Sequence, residues 1–103
     1  MEQSAVTRGR QVLNAAMSND VVMYTTRFCP YCVRARALLD GKQIRYTDIG
    51  VDGLPELRAE MTARSGRFTV PQIWVGEHHV GGYDDLALLE RQGRLDKLLT
   101  AAP

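Results

Sequence analysis

The sequence predicts an α/β domain, and three observations carry that reading. Val21 to Tyr24 is a short run of consecutive apolar residues, the pattern of a strand buried on both faces. A helix-like stretch follows, and Ile44 to Ile49 then reads as a second strand, so the first half runs strand, helix, strand. Gln72 to Val75 and His79 to Val80, joined across Gly76 and Glu77, read as a tight antiparallel hairpin with a helix behind it. A strand-helix-strand unit closes naturally into a parallel pair, so the whole is four strands flanked by helices.

Each element has its own signals. Residues 1 to 19 place Val6, Leu13 and Met17 at helical spacing, which predicts an amphipathic N-terminal helical extension ahead of a domain spanning 20 to 103. The extension lacks the apolar stretch of a secretory signal, and its arginines, with Glu2 as the only acid, also suit a transit peptide. The first strand spans Asp20 to Thr26. The helix after Cys29 runs to about Asp40, with Val33, Ala37 and Leu38 expected on its buried side and Gly41 as its stop. Leu54 to Arg64 is a second helix, with Pro55 in its first turn, Leu54, Leu57 and Met61 on one face and Gly66 beyond its end. Tyr83-Asp84-Asp85 opens a third helix with acids where the helix dipole favours them, ending near Gly93, and Leu95, Leu98 and Leu99 mark a last short one.

Composition narrows the function classes. A chain of 103 residues is one domain with enough apolar residues, 45%, for a modest core. A net charge of +1 gives no basis for a nucleic-acid partner, and no run approaches the 18 apolar residues of a membrane span. The only two cysteines, Cys29 and Cys32, stand as C-x-x-C where a strand hands over to a helix. So short a loop is a poor structural staple; redox or metal chemistry is the alternative. Zinc needs four ligands, and the remaining candidates, His78 and His79, are neighbours in a hairpin and face opposite ways, so no metal is expected and both read as exposed. Trp74 reads as core.

The position of the pair favours chemistry at Cys29. Free N–H groups and the positive end of the helix dipole stabilise a thiolate there and lower its pKa, while Pro30 fits the first helical position. Cys32, inside the helix, faces fewer free N–H groups and is expected to resolve what Cys29 starts. A lowered pKa raises the thiolate fraction but lowers nucleophilicity, and the two nearly cancel in attack. The benefit comes when Cys29 leaves a mixed disulfide.

Cys29-Pro30-Tyr31-Cys32, Thr69-Val70-Pro71 and Gly81-Gly82-Tyr83-Asp84-Asp85, in that order, give a chain that resembles a glutaredoxin, and more narrowly the small dithiol glutaredoxins of bacteria. Ser65-Gly66-Arg67 and Pro71-Gln72-Ile73 fit the same pattern. The resemblance implies a thioredoxin-like fold, a four-stranded mixed sheet flanked by helices, here with an extra N-terminal helix. It implies glutathione as co-substrate, Cys29 as nucleophile, Cys32 as resolving cysteine and a cis peptide bond at Pro71. Glutathione would meet Tyr31, Thr69, Val70 and Pro71 along its middle, and Gly82, Tyr83, Asp84 and Asp85 at its γ-glutamyl end. Relatives commonly place a basic residue three positions before the first cysteine to hold the glycine carboxylate, and here that position is Thr26. Arg27, Arg58 and Arg67 are the candidates for this role, with Arg27 ranked first for nearness in sequence.

The same resemblance implies a cytoplasmic monomer that reduces disulfide-bonded or glutathionylated proteins. Two other functions keep the fold: a glutathione-ligated iron-sulfur cluster carrier, and an electron donor reduced by thioredoxin reductase. Cluster carriers usually have C-G-F-S, which this chain lacks, and a donor of the second kind would lack the glutathione groove.

Overall fold

The computed structural model describes residues 19–101, so the helix expected over 1 to 19 lies outside the described residues save for Asn19. Four strands form one sheet: β1 (Val21–Thr25), β2 (Thr47–Gly50), β3 (Gln72–Val75) and β4 (His78–Gly81). Among the described residues, four helices accompany them: α1 (Pro30–Gly41), α2 (Pro55–Ser65), α3 (Tyr83–Arg91) and α4 (Leu95–Thr100). The spatial order is β2-β1-β3-β4, with β1 parallel to β2 and antiparallel to β3, and β3 antiparallel to β4. This is the mixed sheet and the thioredoxin-like order expected. None of the described helices is long and apolar enough to cross a membrane.

Side chains alternate across the sheet, so both faces are buried. On one face Met23, Ile73 and Val80 pack with Ala35 and Leu39 of α1, Leu86 of α3, and Leu95 and Leu99 of α4. On the other, Tyr24 and Trp74 pack with Val51 and Met61 under α2. The continuous apolar run at Val21 to Tyr24 is what a central strand feeding both layers needs.

Three expectations shift. The buried stripe of α1 is Cys32, Ala35 and Leu39, whereas Val33 and Ala37 are exposed and Leu38 only partly buried. A helix apolar on two sides does not say which side meets the sheet; the entry of the chain at Cys29 does. In α2 the face holds at Met61 and Leu57, but Leu54 is half exposed because it is the residue preceding the first turn. Strand β2 begins at Thr47 rather than Ile44, because residues 42 to 44 close α1. The Ile44 N–H donates to the Leu39 carbonyl at 2.9 Å, and Gln43 takes a positive φ of 59° in this turn.

A polar clamp fixes α1 on the sheet. The buried Thr25 hydroxyl donates to one carboxylate oxygen of Asp48 at 2.6 Å, and Arg36 Nε donates to the other at 2.7 Å, tying β1, β2 and α1 together. This joint sits a few residues from the cysteines and sets the direction in which α1 leaves them.

Candidate active site

Cys29 caps α1. Its backbone is extended, its carbonyl accepts from the Val33 N–H at 3.0 Å, and Pro30 occupies the first turn, where a missing N–H costs nothing. Its sulfur accepts from the Cys32 N–H at 3.1 Å. The two sulfurs are paired at disulfide distance, with Cα atoms 5.2 Å apart. Cys29 is 8% exposed and Cys32 0%, so only the first sulfur has a surface to offer.

Opposite the cysteines runs the turn before β3. The Val70–Pro71 bond is cis, as expected, and the Val70 carbonyl oxygen lies 3.7 Å from Cys29 Sγ. Beside this turn is a cleft of about 300 Å³ lined by Tyr31, Arg67, Thr69, Val70, Pro71, Gly82, Tyr83, Asp84 and Asp85. Three stretches far apart in sequence thus meet at one opening. Tyr31 is half exposed with Arg34 above its ring, 5.3 Å from the centroid. Tyr83 lines the cleft and also packs against the core beneath it.

The far wall is built by β4 and the start of α3. Asp85 accepts from the Gly82 N–H at 2.9 Å and from Arg67 Nη1 at 3.1 Å, so it caps the helix and ties the Arg67 loop to it. The Gly82 N–H, then the Arg67 guanidinium, hold the Asp85 carboxyl below the usual carboxylate range, against the opposing effect of partial burial. Gly81 has φ of 114°, and a Cβ there would sit 2.9 Å from Asp85 Cγ and 3.2 Å from Arg67 Nη1. Only glycine fits.

Among the basic candidates, Arg67 alone lines the cleft. Arg27 is turned away: its Nε donates to Asp52 at 3.0 Å, and the bond to Arg27 holds the Asp52 carboxyl low. Arg58 donates to the Phe68 carbonyl at 2.9 Å, supporting the loop from outside. Nearness in sequence to Cys29 did not translate into nearness to the cleft.

The histidines are not equivalent. His78 is exposed as expected, but His79 is partly buried, stacked on Trp74 at 4.7 Å between ring centroids and 2.7 Å from Gln72 Oε1. Burial, then the charge of Arg67, pushes the His79 imidazole below its ordinary value. Trp74, 4% exposed, is core as read. Sequence reasoning missed the Gln72–His79 pair; the signal was a glutamine in an otherwise apolar four-residue strand.

What such a geometry can do is make and break one S–S bond at a helix mouth next to a cleft. Fold and site together define a thiol-disulfide oxidoreductase of the thioredoxin-like class. A family model described as Glutaredoxin matches residues 21–80. A glutaredoxin of Pseudomonas aeruginosa is 59% identical over 81 residues, covering 79% of this chain and 96% of that one. The solution structure of a glutaredoxin from Brucella melitensis superposes with a TM-score of 0.74 at 54% identity, over 82% of this chain and 91% of the other. A crystal structure of a buckwheat glutaredoxin-glutathione complex gives 0.74 at 30% identity, over 89% and 84%. The chain belongs to the glutaredoxin family, whose members are glutathione-dependent oxidoreductases.

Proposed function

We propose that Cys29 is the attacking and leaving sulfur, that Cys32 resolves, and that glutathione docks in the cleft between the Val70–Pro71 turn and α3. The observation that carries this is the cleft's position: one wall, the Val70 carbonyl, lies 3.7 Å from the Cys29 sulfur. An extended tripeptide laid along Thr69 and Val70 would pair with their backbone in the manner of an added strand. Its γ-glutamyl carboxylate would meet the N–H groups opening α3 beside Gly82 and Tyr83, and Asp84 its ammonium. Arg67, held at that same end by its ion pair with Asp85, would add positive charge beside the γ-glutamyl carboxylate. The buckwheat relative, solved as a complex with glutathione, supports a groove of this kind.

The cycle then balances on sulfur chemistry alone. The Cys29 thiolate attacks the glutathionyl sulfur of a protein-glutathione disulfide; that S–S bond breaks, and the protein thiolate leaves and takes up a proton. A second glutathione, as thiolate, attacks the glutathionyl sulfur on Cys29, giving glutathione disulfide and releasing the Cys29 thiolate. In the two-cysteine route Cys29 attacks a protein disulfide and Cys32 displaces it, leaving the Cys29–Cys32 disulfide for glutathione to reduce. Burial of Cys32 keeps it from starting the exchange, and the helix mouth helps Cys29 leave. A reducing compartment such as the cytoplasm suits this cycle.

The test is a glutathione-coupled assay on a small glutathione mixed disulfide and on a disulfide-bonded protein. Cys29→Ser should abolish both activities. Cys32→Ser should keep the first and lose the second, and loss of both in Cys32→Ser would mean that the two roles are misassigned.

A further inference from the structure

A buried amide links the hairpin histidine to the cleft. Gln72, 0% exposed, follows Pro71 at the start of β3; its Nε2 donates to the Thr69 carbonyl at 3.1 Å and to the Thr69 hydroxyl oxygen at 3.3 Å. A carbonyl oxygen carries no proton, so the NH2 end of the amide has to face Thr69 and Oε1 has to face His79. The His79 Nε2, 2.7 Å from Oε1, must then carry a hydrogen. The tautomer is thus fixed by the donor and acceptor inventory.

We propose that His79 is a positioning residue for the glutathione cleft: it holds the Gln72 amide, and that amide holds Thr69. The inference rests on the cleft being the glutathione site, as argued above. His79 does not line the cleft, so it acts through Gln72. Its ring is itself braced by Trp74, over which Arg64 lies 4.4 Å from the centroid, so the relay is anchored to α2 as well as to β4. Arg64, Arg67, His78 and Asp85 are the charged or titratable groups that act on the imidazole. Nε2 carries its hydrogen in both the neutral and the cationic ring, so the bond to Gln72 does not depend on the ring's charge. Without the bond the buried Gln72 Oε1 is left without its donor, so the side chain gains by swinging away to find another, and Thr69 then loses both of its contacts to Gln72. The segment that would pair with the tripeptide backbone is then free to shift.

The experiment compares wild type, His79→Phe, His79→Gln and Gln72→Met in glutathione-coupled turnover of a small glutathione mixed disulfide. The rate of Cys29 alkylation by iodoacetamide, which needs no docked tripeptide, and the melting temperature are measured alongside. His79→Phe keeps a ring on Trp74 but has no donor, and should raise KM for the mixed disulfide about tenfold while alkylation changes less than about twofold. His79→Gln, whose amide reaches about as far as Nε2, should return KM to within about threefold of wild type. Gln72→Met breaks the relay at its other end with similar volume and carries the test if His79→Phe does not fold. An unchanged KM in the donor-less variants, or equal losses in KM and alkylation, would overturn the positioning role while leaving the glutathione reading intact. A wild type that turns over no glutathione would overturn both.

Discussion

The backbone N–H of Cys32 donates to the sulfur of Cys29 at 3.1 Å, one turn into the helix that Cys29 caps. In the reduced protein the same N–H is a ready donor to a thiolate. We predict that iodoacetamide labels Cys29 rapidly at a pH where ordinary thiols, with pKa about 8.5, are still protonated. Cys32, fully buried, should stay unlabelled in the folded protein. Peptide mapping by mass spectrometry across a pH series reads both outcomes, and preferential labelling of Cys32 would contradict the site's assignment.

Gly81→Ala should be among the more damaging single changes outside the core. The new methyl group would press on the Asp85 carboxylate and Arg67 at a backbone angle that L residues rarely adopt. The expected loss is about 1–3 kcal/mol. Chemical denaturation checks it, and Gly93→Ala, strained by a φ of 70° but open around its Cβ, is the control that should cost less.

Asp85 gives the stability curve an acid limb. Its folded pKa is depressed by the Gly82 N–H and Arg67, so its contribution is fully present above the unfolded carboxylate value of about 3.9 and is lost as pH falls through the lower folded value. Asp85→Asn should therefore cost stability at neutral pH, about 1 kcal/mol or less because the side chain is 45% exposed, and should flatten the fall at low pH. Urea unfolding at pH 7 and at pH 3 separates the two; equal losses at both would show that the charge plays no part.

Phe28 and Phe68 stand almost bare, 92% and 72% exposed, immediately before Cys29 and before Thr69. Neither supports the core, so a role in meeting large substrates is the natural prediction. Phe28→Ser with Phe68→Ser should slow reduction of a disulfide-bonded protein about tenfold, at a stability change within about 0.5 kcal/mol per site. Turnover of a small mixed disulfide should be untouched. Parallel assays on the two substrates decide it, and equal slowing of both would place these rings in the tripeptide's own site.

Much of this architecture was legible because each signal had a local cause. The apolar run at Val21 to Tyr24, the Gly76-Glu77 turn and Gly66 at the end of α2 each announce one backbone geometry, and each appears where read. The cysteine pair announced itself by spacing and by the strand-to-helix handover. The contacts that span long sequence distances were the harder part. Arg27 pairs with Asp52, just beyond β2, while Arg67 faces the cleft. Likewise Gln72 and His79 meet because His79 pairs opposite Trp74, and Gln72 lies two residues along on the same face of β3. Periodicity reports faces, and it does not report which polar side chains share one.

The most direct test is a crystal structure of the Cys32→Ser variant after reaction with glutathione disulfide. The account predicts glutathione joined to the Cys29 sulfur, its backbone alongside Val70 and its γ-glutamyl end at Gly82 to Asp85, beside Arg67. A tripeptide bonded to Cys29 but pointing out of the cleft, or no adduct at Cys29 at all, would contradict it.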